Sequence, residues 1–142
     1  MLVVSSNDVP GYQVQAVLGE VFGVTVRSRN FGAGMTAALR SLGGGELPEM
    51  TQLMVQGRNE AMGRMIWQAR HRQANAVVAF RFDCSEVAQG YTEVCAYGTA
   101  VWVSPVTEHA QQQYEAMTRA GGLPHQLQYA TNVNEHGPHP TH

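Results

Sequence analysis

The side chains of this chain that could do chemistry are two cysteines, a cluster of histidines and a glycine turn. Thiolates and imidazoles are the usual ligands of soft and borderline metals, so Cys84, Cys95, His136, His139 and His142 are the candidate metal ligands. Neither cysteine belongs to a C-x-x-C pair or has a metal-type neighbour in sequence. In a hairpin turning near Ala88, Cys84 faces Tyr91 or Thr92 and Cys95 faces Phe80, about 13 Å apart along the strand at ~3.3 Å per residue. One ion shared by the two within a chain is therefore not expected, while a site using both across subunits stays open. With His125, four of the six histidines fall in the last 18 residues. Gly137, Pro138 and Pro140 deny that stretch a preformed geometry, so NVNEHGPHPTH reads as a disordered, solvated tail that binds metal weakly.

The stretch Phe31 to Ala37, FGAGMTA, spells the G-x-G-x-x-A form of a dinucleotide turn. Such a turn needs a strand running into the first glycine, a helix packed behind it and an acidic strand end about 20 residues on. Here Arg27-Ser-Arg-Asn30 intervenes, and a helix begins where the second strand should end. A weaker role remains, in which Arg27, Arg29 and the amides of Gly32 and Gly34 hold a small anion at a helix start. Close backbone approach at a subunit contact is the simpler use of these glycines.

Catalytic residues are not expected. The chain has no G-x-S-x-G and no H-E-x-x-H, and neither cysteine has an evident histidine partner. Asp83 and Glu93 could form a carboxylate pair on neighbouring strands, but Arg81 beside them points to a structural ion-pair network.

The elements that must position these residues follow from 142 residues, 44% of them hydrophobic, which suit one domain with a modest core. All nine basic side chains are Arg, which removes lysine Schiff-base chemistry, and a formal net charge of -2 gives no field for nucleic acid or anionic lipid. No apolar run reaches the ~18 residues of a membrane span. The start MLVVSSND lacks a basic n-region, so a cytoplasmic protein with free thiols is expected. Residues 11–27 alternate as a long strand with Tyr12, Val14, Ala16 and Leu18 on one face, and Gly19 and Gly23 mark bends or bulges. A short helix is expected over residues 32–42. A long one begins at Pro48 and runs to Arg72, with Met50, Leu53, Met54, Ala61, Met65, Ile66 and Ala69 as its apolar stripe. Its other face carries Arg58, Glu60, Arg64, Arg70 and Arg72 and reads as solvated, with Glu60 and Arg64 at i,i+4 spacing. Residues 75–83 and 91–103 form a hairpin turning through Ser85 to Gly90. Strand, helices, strand, strand makes a two-layer α+β sandwich, a mainly antiparallel sheet with helices on one face. Thr107 caps a helix to about Ala120.

Gly11-Tyr12, Val24-Thr-Val-Arg-Ser-Arg-Asn30, Gly44-Gly-Glu46, Asn75-Ala-Val-Val with Arg81-Phe-Asp83, and Ala96-Tyr-Gly-Thr-Ala-Val101 occur in the order seen in the YbjQ-like family. The chain resembles that family, which carries a heavy-metal-binding label, over residues 1–105. The resemblance implies a dodecin-like α+β subunit assembled with copies of itself into a ring-shaped homopentamer, or a stacked decamer, with no catalytic residues to carry across. Five equivalent cysteines about an axis would not match a four-coordinate site. Where the family has Gly before Ala-Asn-Ala-Val-Val, this chain has Gln73, so the left-handed helix end either moves to Asn75 or is strained. Residues 106–142 form an extension that the resemblance does not cover. The reading is a noncatalytic, ring-forming protein without an organic cofactor, or alternatively a binder of a heavy-metal ion or small ligand between subunits.

Overall fold

The computed structural model describes residues 1–28 and 48–123. Their elements are β1 (Leu2–Val3), β2 (Tyr12–Ser28), α1 (Pro48–His71), β3 (Ala76–Ala88), β4 (Tyr91–Pro105) and α2 (Glu108–Arg119). The strands form one sheet in the order β1-β3-β4-β2, with β1 parallel to β3 and the other pairs antiparallel. The α+β class and the mainly antiparallel sheet expected from the sequence are therefore found; the short parallel β1–β3 pair, which makes the sheet mixed, is not foreseeable because a two-residue strand is too short to leave an alternating pattern. The expected helix over 32–42 and the FGAGMTA turn lie outside the described residues.

Along β2, register shifts occur between Val14 and Ala16 and between Val17 and Gly19. Each shift moves later side chains to the other face. Tyr12 and Val14 thus align with Pro105 and Val103, whereas Ala16 aligns with Trp102 on the opposite face, so the single face expected for Tyr12, Val14, Ala16 and Leu18 is split. Gly19 falls at a bulge, as expected; Gly23 does not. A Cβ at Gly23 would stand 2.0 Å from the Ala61 carbonyl oxygen and 2.5 Å from the Met65 amide nitrogen. Only glycine lets the α1 backbone come this close to the strand.

Over that contact α1 buries Ala61, Met65 and Ala69 against Val21, Val77, Val94, Ala96 and Ala100. The stripe expected from Met50 is fully buried at Ala61, Met65 and Ala69, whereas Leu53 is half-buried and Met54 is 44% exposed. The charged face is also not simply solvated. Phe22 donates its amide to Gln68 Oε1 at 2.8 Å, Arg64 donates to the Val24 carbonyl, and Arg72 donates to the Leu18 carbonyl at 3.1 Å. Glu60 accepts from Arg64 at 2.7 Å and pairs with Arg27. Residues 60, 64, 68 and 72 repeat every fourth position and so share one helix face. Arg64, Gln68 and Arg72 thereby take up outward backbone groups of β2 at Val24, Phe22 and Leu18, and Glu60 anchors Arg27 and Arg64 beside them.

The end of α1 has Gln73 amide bonded to the Arg70 carbonyl and Ala74 amide to the Ala69 carbonyl, the paired bonds of a Schellman turn. Gln73 sits at φ 61°, so the left-handed residue stays at this position rather than moving to Asn75, at a cost of about 1 kcal/mol for a side chain that is not glycine. Asn75 is fully buried instead. Its amide group donates to the Val103 carbonyl and accepts from the Val103 amide, both at 2.8 Å, and donates to the Tyr114 hydroxyl of α2 at 3.3 Å. Tyr12 likewise donates to the Ala110 carbonyl, and Thr107 Oγ1 caps α2 by accepting from the Ala110 amide. These bonds join α2 to a second apolar cluster of Val9, Ala76, Val78, Val101 and Val103.

The hairpin is longer than the sequence suggests. Ser85 and Glu86, read as turn residues for their polarity, pair with Glu93 and Thr92, and the turn is confined to Gln89-Gly90. Between Val78 and Arg81, β3 carries a register shift opposite Gly98. A Cβ on Gly98 would meet Val77 Cγ1 at 2.7 Å, which explains the glycine in the Ala96–Val101 motif.

Two substitution experiments follow. Gly23→Ala should lower unfolding free energy by several kcal/mol, since two backbones must separate, whereas Gly63→Ala, whose Cβ meets nothing within 4 Å in the same helix, should raise it by about 0.5–1 kcal/mol. Asn75→Ala should cost about 3 kcal/mol in urea unfolding, because both backbone groups of Val103 lose their partner in a buried position.

Candidate functional site

Beyond the reach of the second cluster, the sheet face opposite α1 carries three cross-strand rows. Phe22, Tyr97 and Arg81 form one; Val24, Cys95 and Asp83 the next; Val26, Glu93 and Ser85 the third. Their placement follows from strand alternation: Val94 and Ala96 point into the core beneath α1, so Glu93, Cys95 and Tyr97 point away from it. The face is thus a thiol, two carboxylates, a phenol and a guanidinium beside an apolar strip on β2.

The Cys95 thiol is held above its ordinary pKa, first by burial and then by the Glu93, Asp83 and Glu20 carboxylates. The Tyr97 phenol is also raised, chiefly through hydrogen bonding with the Asp83 carboxylate. Both shifts keep these groups neutral, so the face offers no ready thiolate or phenolate at pH 7. Arg81 does not form the ion-pair network expected with Asp83 and Glu93; it donates to the carbonyls of Ser5 at 2.7 Å and Phe80 at 2.8 Å.

The cysteines are not separated in the way the spacing suggests. Cys84 pairs with Val94 and Cys95 with Asp83, so the two are close in register rather than about 13 Å apart along the strand. Because Val94 is a core residue under α1 and Cys95 is its neighbour, Cys84 and Cys95 lie on opposite faces of the sheet. They do not meet around one ion within a chain. Among the described residues, no three His, Cys, Asp or Glu side chains gather as a metal centre. His136, His139 and His142 lie outside the described residues, as do Arg29, Gly32 and Gly34 of the expected anion site. Arg27, the remaining member of that site, has its charge met by Glu60.

What sequence reasoning missed is the row of Asp83 beside Cys95. The Gln89-Gly90 dipeptide marks the turn and sets Ala88 opposite Tyr91, but a register shift between Glu86 and Ala88 then displaces β3 by one residue; the turn alone would put Cys84 opposite Cys95, and nothing at Val87 signals the shift. Among the described residues, no helix is long and apolar enough to cross a membrane.

Comparison with known proteins adds the following. Residues 1–104 match the family model YbjQ, described as "Putative heavy-metal-binding". A UPF0145 protein of Streptomyces coelicolor is 61% identical over 104 residues, covering 73% of this chain and 98% of that protein. One from Thermoplasma acidophilum is 44% identical over 112 residues, covering 79% and 94%. A crystal structure of a protein of unknown function from Pediococcus pentosaceus, assigned to the DUF74 family, is similar at TM-score 0.49 and 14% identity, covering 73% of this chain and 98% of that one.

The raised thiol gives a direct test. In a Cys84→Ser variant, Cys95 should react with a disulfide reagent more slowly than free cysteine at pH 7.5. Its rate should still be climbing with pH where free cysteine has levelled off, because the thiolate fraction is lower at every pH below the raised pKa. A rate profile matching free cysteine would contradict the half-buried, carboxylate-flanked placement.

Proposed function

Because this chain belongs to the YbjQ-like family, we propose that it is a noncatalytic, self-assembling cytoplasmic protein whose copies close into a ring, five to a ring or stacked as ten. One observation carries this reading. The sheet face opposite α1 leaves Phe22 47% and Val26 52% exposed, in a strip continuous with half-buried Val24 and Tyr97, and no described helix covers it. Apolar strips of this kind on a sheet face are usual where protein packs on protein. The residues 1–105 serve as the assembling unit, and 106–142 are an addition whose helix α2 docks beside the start of β2.

A second reading, a heavy-metal ion or small ligand held between subunits, is favoured by Asp83 standing directly beside Cys95. One thiol and one carboxylate per chain are half of a four-ligand site, which a neighbouring copy could complete. The ion would have to displace the Cys95 proton, so uptake would strengthen as pH rises.

Native mass spectrometry of the untagged full chain tests both. The expected result is a single dominant oligomer at micromolar subunit concentration, unchanged in subunit count by added Zn(II). A stable monomer would overturn the assembly reading. Retention of Zn(II) at a fixed ratio to subunits, lost in Cys95→Ser, would establish the second.

A further inference from the structure

The sheet has two outer edges, and they are in opposite states. That of β2 is occupied by α1: the Phe22 amide and the Val24 and Leu18 carbonyls are taken up by Gln68, Arg64 and Arg72. That of β3 is covered only at its start, where β1 pairs with Ala76 and Val77, and where the Ala79 and Phe80 amides donate to the Ser6 and Val4 carbonyls. Since the Phe80 amide points outward and successive residues alternate, the amides and carbonyls of Phe82, Cys84 and Glu86 also point outward. Among the described residues, no strand pairs with them.

We propose that two copies of this chain join here, β3 against β3, antiparallel about a two-fold axis that passes between the Cys84 residues. The inference rests on the self-assembly reading and specifies the surface. A head-to-tail strand pairing would need the β2 edge of a neighbour, and there Gln68, Arg64 and Arg72 of α1 already hold the middle of the strand at Leu18, Phe22 and Val24, which interrupts a continuous ladder. The remaining strand partner of chemistry equal to an open β3 edge is another open β3 edge. Centring on Cys84 uses all three outward-pointing residues, with Phe82 opposite Glu86 of the second copy. Centring on Asp83 would set two carboxylates face to face and leave Glu86 unpaired, and centring on Ser85 would leave Phe82 unpaired. A two-fold contact of this kind makes the subunit count even, so rings of five would be joined in pairs.

Residues opposite one another in a hydrogen-bonded antiparallel pair have Cα atoms about 5.5 Å apart, within reach of a disulfide. Cys84 is exposed and is therefore its own reporter. In the full-length chain carrying Cys95→Ser, mild oxidation at low protein concentration should link most chains into covalent dimers through Cys84. A comparison variant carrying Cys84→Ser, Cys95→Ser and Val87→Cys should link at least tenfold less. Val87 is similarly exposed, but it would face Arg81 of the other copy and lie about 20 Å from its own counterpart. In native spectra, Cys84→Pro, which removes an outward amide without touching the β4 ladder, should halve the subunit count, while Cys84→Ser should leave it unchanged. An assembly that persists in native spectra with no preference for Cys84 linkage, or that survives Cys84→Pro intact, overturns the two-fold contact and leaves the assembly reading standing. A monomer in all variants overturns both.

Discussion

The approach of the α1 backbone to β2 at Gly23 is the contact on which the arrangement of the other elements rests. With Ala61 O and Met65 N against the strand, the helix lies low enough for the small side chain of Ala61 to seal the core there. The same closeness brings Arg64, Gln68 and Arg72 within hydrogen-bonding range of the strand edge. A helix held away by even one methyl group would still bury apolar area, but its polar side chains would reach water before they reached the backbone of β2. One glycine thus links the interior of the domain to the chemistry of its edge.

The long strand, the long helix and the hairpin were legible in the sequence because each repeats a simple period over many residues. β1 was not, since Leu2–Val3 is shorter than one period, and it is what makes the sheet mixed. The bulges of β2 were half legible: Gly19 marks one, but nothing at Val14-Gln15-Ala16 distinguishes a bulge from plain alternation. The charged face of α1 misled, because a row of arginines looks the same in sequence whether it meets solvent or the carbonyls of a strand. Gln73 was legible as an anomaly. Its left-handed backbone shows that the turn is determined by the helix end and the buried Asn75 after it, strongly enough to override side-chain preference.

The candidate site shows how sensitive chemistry is to register. Ser85 and Glu86 look like turn residues, and placing them in the turn slides Cys84 and Cys95 far apart along the hairpin. In the structure they are close, yet on opposite faces, so sharing of an ion within the chain is prevented by alternation rather than by distance. The carboxylates beside Cys95 have two opposed effects. They are hard oxygen donors of the kind the metal reading would call on, and they hold the thiol in its protonated form.

The connectivity of the sheet also bears on how the chain reaches its native state. β2 is complete in sequence well before β4, its only strand partner among the described residues, which pairs Ser28 with Tyr91 and Tyr12 with Pro105. During synthesis at the ribosome, β2 therefore waits unpaired while α1 and β3 emerge. High contact order of this kind slows folding and leaves an alternating strand open to aggregation. The residues at 60, 64, 68 and 72 become available during that interval and can engage one side of β2 before β4 exists. The helix is thus placed to shield one side of β2 before the strand that completes its ladder has been made.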